Sequence, residues 1–112
     1  MHSAESPVAA VFRALGDDRR LRMLGLLRSR AICVCEFVEL LGISQAAVSE
    51  HLRRLREAGL VRAERRGTWA FYHLAEPLPA FVGEALRAIP PQPASLPAVP
   101  ACPPVRSASA GA

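Results

Sequence analysis

One capped helix, residues 44–59 (SQAAVSEHLRRLREAG), constrains this chain more than any other stretch. Ser44 is a residue type whose hydroxyl accepts from an orphan amide of a first helical turn. Gly59 suits the left-handed position that closes a helix, where a Cβ would clash. Between them Val48, Leu52 and Leu55 fall at helical spacing and make one narrow apolar stripe. Gln45, Ser49, Glu50, Arg53 and Arg54 lie on the other face. Such a helix lays a thin edge on a core and leaves a broad face of donors and acceptors outside. Gln and Arg are the types that make bidentate contacts with base edges and phosphates.

The flanking segments fit around this helix. Residues 35–41 (CEFVELL) form a short apolar helix closed by Gly42. Helix, tight turn and a second capped helix make a helix-turn-helix. Residues 60–74 (LVRAERRGTWAFYHL) hold two β-prone runs around Arg65, Arg66 and Gly67, and read as a hairpin with a basic tip. The expected fold is therefore mainly α with a β-hairpin wing, a winged helix-turn-helix.

Further elements follow from caps and periodicity. Pro7–Leu15 reads as a first helix, with Ser6 as cap and proline at its first position. Residues 17–30 read as a second helix, with Asp17 or Asp18 as cap and Leu21, Met23, Leu24 and Leu27 buried. The third and fourth helices are expected over 33–41 and 45–58. Pro77 and Pro79 mark a break before a last helix over 80–89. Residues 1–89 make one domain. Residues 90–112 are Pro-, Ala- and Ser-rich with a single charge, Arg106, and read as a flexible tail carrying Cys102.

The chain has 112 residues, a net charge of +4, and only arginine as its strong base. An arginine-only count is ordinary for GC-rich coding; the positions say more. Arg53, Arg54, Arg56, Arg62, Arg65 and Arg66 cluster on the capped helix and wing, which suits a nucleic-acid partner. No apolar run approaches the roughly 20 residues of a membrane span, and the start MHSAESP has no signal-peptide pattern. A cytoplasmic protein is expected. With 3 cysteines and no secretory signal, thiol or metal chemistry is expected rather than a disulfide framework. No Cys-x-x-Cys, phosphate loop or Ser/His/Asp set supports an enzyme.

Several pieces together resemble the ArsR/SmtB family of winged-helix repressors. They are CVCE at 33–36, SQ at 44–45 with VSEHL at 48–52, LREAGL at 55–60, the wing RRGTWAFYHL at 65–74, and ALGDDRRLR at 14–22. The resemblance spans about residues 8–89, and the CVC element is similar to the arsenite- and cadmium-sensing branches. It implies a homodimer on double-stranded operator DNA, without an organic cofactor or a membrane. Val8, Val11 and Phe12 of the first helix, with Phe81, Val82, Leu86 and Ile89 of the last, are the expected dimer surface. The implied function is a metalloid-responsive repressor, released from its operator by As(III) or Sb(III). A same-fold regulator of Cd, Zn, Cu or thiol oxidation is the alternative.

On the reading helix, Gln45, Ala46, Ser49, Glu50, Arg53 and Arg54 are expected to face the major groove. Glu50 either accepts from cytosine or pairs with Arg53 or Arg54 along the helix. His51 either donates to phosphate or packs against the wing. Arg65 and Arg66 enter the minor groove or lie along phosphates.

The thiols pose a geometric problem. Two residues apart on an ideal helix is about 200° of rotation, so Cys33 and Cys35 would point apart. They converge on one ion only where the first turn is unwound or begins. Soft thiolates suit As(III), Sb(III), Cd(II), Cu(I) or Zn(II); the bland alternative is a pair of small buried apolar side chains. As(III) takes three sulfurs in the family pattern, whose third cysteine is replaced here by Val38. Cys102 is then the candidate third ligand, with a small cellular thiol as the other source. The family's other metal sites lack ligands: the last helix offers only Glu84, and no cysteine precedes Cys33.

Overall fold

The computed structural model describes residues 6–89. The elements run α1 Pro7–Leu15, α2 Asp18–Leu27, β1 Ile32–Cys33, α3 Val34–Leu41, α4 Gln45–Glu57, β2 Val61–Arg66, β3 Trp69–Leu74 and α5 Ala80–Arg87. The expected tail, 90–112, and Cys102 lie outside the described residues.

Caps fix the helix starts. The Ser6 hydroxyl accepts from the Ala9 amide at 3.1 Å, and Pro7 fills the first helical position. The Asp17 carboxylate accepts from the amides of Arg19 and Arg20 at 2.8 and 3.2 Å. Ser44 caps α4 by accepting from Ala47 at 3.1 Å. Gly59, at φ 78°, takes the left-handed conformation expected of it. α2 stops at Leu27, short of the expected residue 30. There the amides of Arg28 and Ser29 bond to Gly25 and Leu26, three residues back, and tighten the chain into a turn.

α2 is the centre of the molecule. Met23, Leu24, Gly25, Leu26 and Leu27 are all buried in succession, so other elements surround its second half. Arginines of this segment cap three neighbouring helices. Arg20 Nε donates to the Ala14 carbonyl at 2.7 Å, Arg22 to Leu40 at 3.2 Å, and Arg28 to Leu86 at 2.9 Å. Those carbonyls sit at the next-to-last residues of α1, α3 and α5. Helix C-termini leave such carbonyls without intrahelical partners, and cations are favoured there.

The wing belongs to a three-stranded antiparallel sheet of order β1-β3-β2. β2 and β3 pair from Val61↔Leu74 to Arg66↔Trp69, leaving Gly67 and Thr68 as the turn. Gly67 takes the positive φ, 63°, that the first central position of a two-residue hairpin turn favours. Arg65 and Arg66 therefore end β2 rather than forming the tip. The third strand, β1, was not expected: Ile32 pairs with Tyr72 and Cys33 with Phe71.

The core joins Met23, Leu24, Ile32, Phe37, Val48, Leu52, Leu55, Leu60 and Val82 from every layer. Each large side chain buried this way stabilises the fold by about 1.5–3 kcal/mol. Val11, Val82 and Leu86, expected at a dimer surface, are buried in the protomer's own core, and Ile89 packs half-buried against it. Val8, Phe12 and Phe81 stay exposed, with the Phe12 and Phe81 rings stacked at 5.2 Å between α1 and α5. Phe12 also lines an open apolar groove of about 680 Å³ with Leu15, Leu21, Ala85, Ala88 and Ile89. No helix among the described residues is long and apolar enough to cross a membrane.

Candidate nucleic-acid interface and thiol site

α3 and α4 meet through the turn at 42–44, and α4 buries only Val48, Leu52 and Leu55. That is the stripe read from the sequence. Gln45, Ala46, Ser49, Glu50, Arg53 and Arg54 are all exposed, so the expected reading face is presented to solvent as one surface. Within it Glu50 takes the internal pairing of its two alternatives. Its carboxylate accepts from Arg53 at 2.6 and 3.1 Å and from Arg54 at 3.0 Å, while Arg53 also reaches Glu57 at 2.8 Å. Hydrogen bonding from Arg53 holds the Glu50 carboxyl below its usual range. The exposed carboxylate thus mutes the two guanidiniums most suited to base edges.

His51 is half-buried. Its Nδ1 faces an Arg20 terminal nitrogen at 3.1 Å. Arginine has only donors, so Nδ1 accepts and the ring is the neutral tautomer with its proton on Nε2. Burial depresses the His51 pKa, and the neighbouring Arg20 cation adds to the effect against Asp17 and Glu50. The remaining Nε2–H is the one that can donate outward. Arg20 thereby ties the end of α1 to the reading helix, a role no local pattern announces.

On the wing Arg65 is exposed, but Arg66 folds back. Its guanidinium lies 5.3 Å from the centre of the Phe71 ring and donates to Glu64 at 3.3 Å. Arg65 is the outward cation of the pair and Arg66 the seated one.

Cys33 and Cys35 do converge. Cys33 is the extended cap residue of α3, at φ −89° and ψ 166°, and Cys35 is in the first helical turn. The change from strand to helix between them cancels the 200° separation an unbroken helix would impose. Their sulfurs stand 2.8 Å apart. Burial pushes the Cys33 thiol up, and the Glu36 carboxylate adds to this, while the amides of Glu36 and Cys35 oppose it.

Glu36 holds this junction. It is 3% exposed, the sole buried charged side chain among the described residues. Its Oε1 accepts from the Cys33 amide at 3.2 Å, and Arg30 grips both oxygens at 3.1 and 2.7 Å. Its position three residues after the cap is the capping-box spacing, a signal obscured by a cysteine at the cap. Two convergent sulfurs at a held helix start fit a soft thiophilic ion. Among the described residues no three His, Cys, Asp or Glu side chains gather to hold one. The proposed third donor, Cys102, is outside them.

A capped reading helix after a tight turn, followed by a basic wing, defines a DNA-binding regulator of the winged helix-turn-helix class. Residues 17–63 match the family model for bacterial regulatory proteins of the arsR family. The chain is 41% identical over 80 residues to the arsenic resistance transcriptional regulator ArsR1 of Pseudomonas putida, covering 70% of this chain and 62% of that protein. HlyU from Vibrio cholerae superposes with a TM-score of 0.65 at 30% identity, over 78% of this chain and 96% of that one. The homodimeric winged helix-turn-helix domain Mb0332 from Mycobacterium bovis gives 0.63 at 29%, over 77% and 84%. The chain belongs to the arsR family of bacterial regulatory proteins. These relatives are transcriptional regulators, not enzymes.

Proposed function

We propose that this protein is a metalloid-responsive transcriptional repressor that binds operator DNA as a homodimer and releases it when As(III) or Sb(III) is bound by Cys33 and Cys35. The observation that carries the reading is the convergence of these two sulfurs at the start of the helix that leads into the reading helix. The relationship to a regulator named for arsenic resistance supports the choice of inducer. Cys102 completes the site in this reading, from either chain.

DNA is bound by α4 in the major groove and by Arg65 beside it. Gln45, Ser49, Arg53 and Arg54 supply base-edge and phosphate donors, Ala46 a methyl contact, and His51 Nε2 and Arg66 further donors. Arg53 and Arg54 exchange Glu50 for DNA on docking. Two copies related by a two-fold axis present two such helices to half-sites about 34 Å apart. The exposed Val8, Phe12 and Phe81, with the adjoining groove, form the face that a second copy covers.

On the reduced cysteines, arsenite or antimonite would exchange oxygen ligands for the sulfurs of Cys33 and Cys35, the thiol protons leaving with those oxygens as water. Cys33 and Cys35 are then held in one geometry at the junction of β1 and α3. If that geometry fits DNA less well, the two binding free energies are coupled and the operator is released. The same sulfur pair favours a second reading, in which Cd, Zn, Cu or thiol oxidation is the signal.

The test is fluorescence anisotropy on duplex from the gene's own promoter, titrated with arsenite under reducing conditions. Wild type should release the DNA, and Cys33→Ser and Cys35→Ser should hold it. Cys102→Ser should show a weakened response. Release from all three variants alike would refute the thiol site.

A further inference from the structure

The thiol site has two neighbours, not one. Through α3 it leads to the reading helix. Through β1 it is built into the wing, because Cys33 sits directly opposite Phe71 on β3. Directly opposed residues of an antiparallel pair project to the same face of the sheet. Phe71 is 2% exposed and carries the Arg66 guanidinium over its ring at 5.3 Å. Arg66 in turn is the strand partner of Trp69 at the hairpin's end. A continuous series of paired and packed groups therefore runs from Cys33 to the basic end of the wing.

The two routes are built differently. The α3 start is anchored by buried Glu36, held by Arg30 through two hydrogen bonds while it accepts from the Cys33 amide. β1 is only two residues long and has β3 as its one strand neighbour. A constraint on the cysteine side chains meets the Glu36–Arg30 clamp on the helix side and, on the sheet side, a buried two-residue ladder whose one strand partner is β3.

We propose that occupancy of the Cys33/Cys35 site is transmitted to DNA through the wing, by way of the β1–β3 pairing and the Phe71 seat of Arg66. This rests on the metalloid reading above and adds its route. Phe71 is a positioning residue: it touches neither the metalloid nor DNA, and it sets where Arg66 lies. Arg66, not exposed Arg65, is the wing cation that responds to the inducer.

Trp69 is the sole tryptophan of the chain and lies at the reporting end of this route, partly exposed. The experiment titrates reduced full-length dimer with sodium arsenite and follows two signals together. Ultraviolet thiolate–arsenic absorbance reports binding; Trp69 emission reports the wing. Both should change with one midpoint in wild type, and neither in Cys33→Ser. In Phe71→Leu the absorbance midpoint should stay within about twofold, while the arsenite-induced loss of DNA affinity shrinks. A coupling in the usual range of about 5–150-fold should fall to about threefold or less. Arg66→Gln should behave the same way, and it leaves the core intact should the Phe71 variant fold poorly. An absorbance change with no Trp69 response, or full DNA release by both variants, would overturn the wing route and leave the repressor intact. No absorbance change at all would overturn the metalloid reading and the route together.

Discussion

The arginines of α2 and its following turn and those of α4 and the wing are the same residue put to opposite uses. Arg20, Arg22, Arg28 and Arg30 bond inward, Arg22 and Arg28 while still exposed: three cap the ends of α1, α3 and α5, and the fourth clamps Glu36. Arg53, Arg54, Arg56, Arg62 and Arg65 are exposed, and the two with exposed partners share Glu50. Composition registers both groups only as positive charge. Geometry separates them: an inward-bonded guanidinium meets carbonyls at helix ends or a buried carboxylate, whereas an outward one faces solvent or an exposed carboxylate. Stability should therefore depend on the first set and DNA affinity on the second.

The largest effect on stability is expected at Arg30. Arg30→Ala leaves Glu36 buried without its cation, a change that costs about 3–5 kcal/mol when a pair is fully enclosed. Arg30 is 24% exposed, so about 2–4 kcal/mol is expected from urea unfolding, with water reaching part of the vacated site. Arg20→Ala removes donors to Ala14, Arg13 and His51, and should cost about 1–3 kcal/mol. It should also weaken DNA binding, since it frees the His51 ring. Among the inward set, Arg20 is the one residue expected to affect both measurements.

For the outward set the pattern reverses. Arg53→Ala should leave the unfolding midpoint unchanged and lower operator affinity by about tenfold, a bidentate base contact having been removed. Arg65→Ala should weaken binding to all duplexes alike and reduce the slope of log affinity against log salt by about 1. If either change unfolds the protein instead, the division between the two arginine sets fails.

The smallest effect is the pH dependence of His51. Its folded pKa is depressed, chiefly by burial, so the unfolded chain binds the proton more readily. The neutral ring's contribution is fully present above the unfolded value of about 6.5. It is lost as pH falls from there toward the lower folded pKa. His51→Gln should flatten that part of the stability–pH curve; an unchanged slope would show that His51 is not the group that titrates there.

Much of this was legible in the sequence because it is local. Ser6, Asp17, Ser44 and Gly59 mark helix ends, and Val48, Leu52 and Leu55 are buried as their spacing requires. The convergence of Cys33 and Cys35 was legible as a condition: it needed a helix that starts between them, and one does. What escaped is what distant segments contribute. β1 is too short to show periodicity and exists because β3 offers it a partner. Arg20 finds α1 and His51 only once α2 is packed. Val11, Val82 and Leu86 are apolar at helical spacing whether they face a partner or their own core, and periodicity alone does not distinguish the two.

The most direct test of coupling is the arsenite affinity of the reduced protein, alone and with operator duplex, read by thiolate absorbance. Linkage is reciprocal: arsenite should bind more weakly on DNA, by the same factor by which it weakens DNA binding. Equal arsenite affinity in the two states would mean that the thiols do not regulate this repressor, whatever they bind.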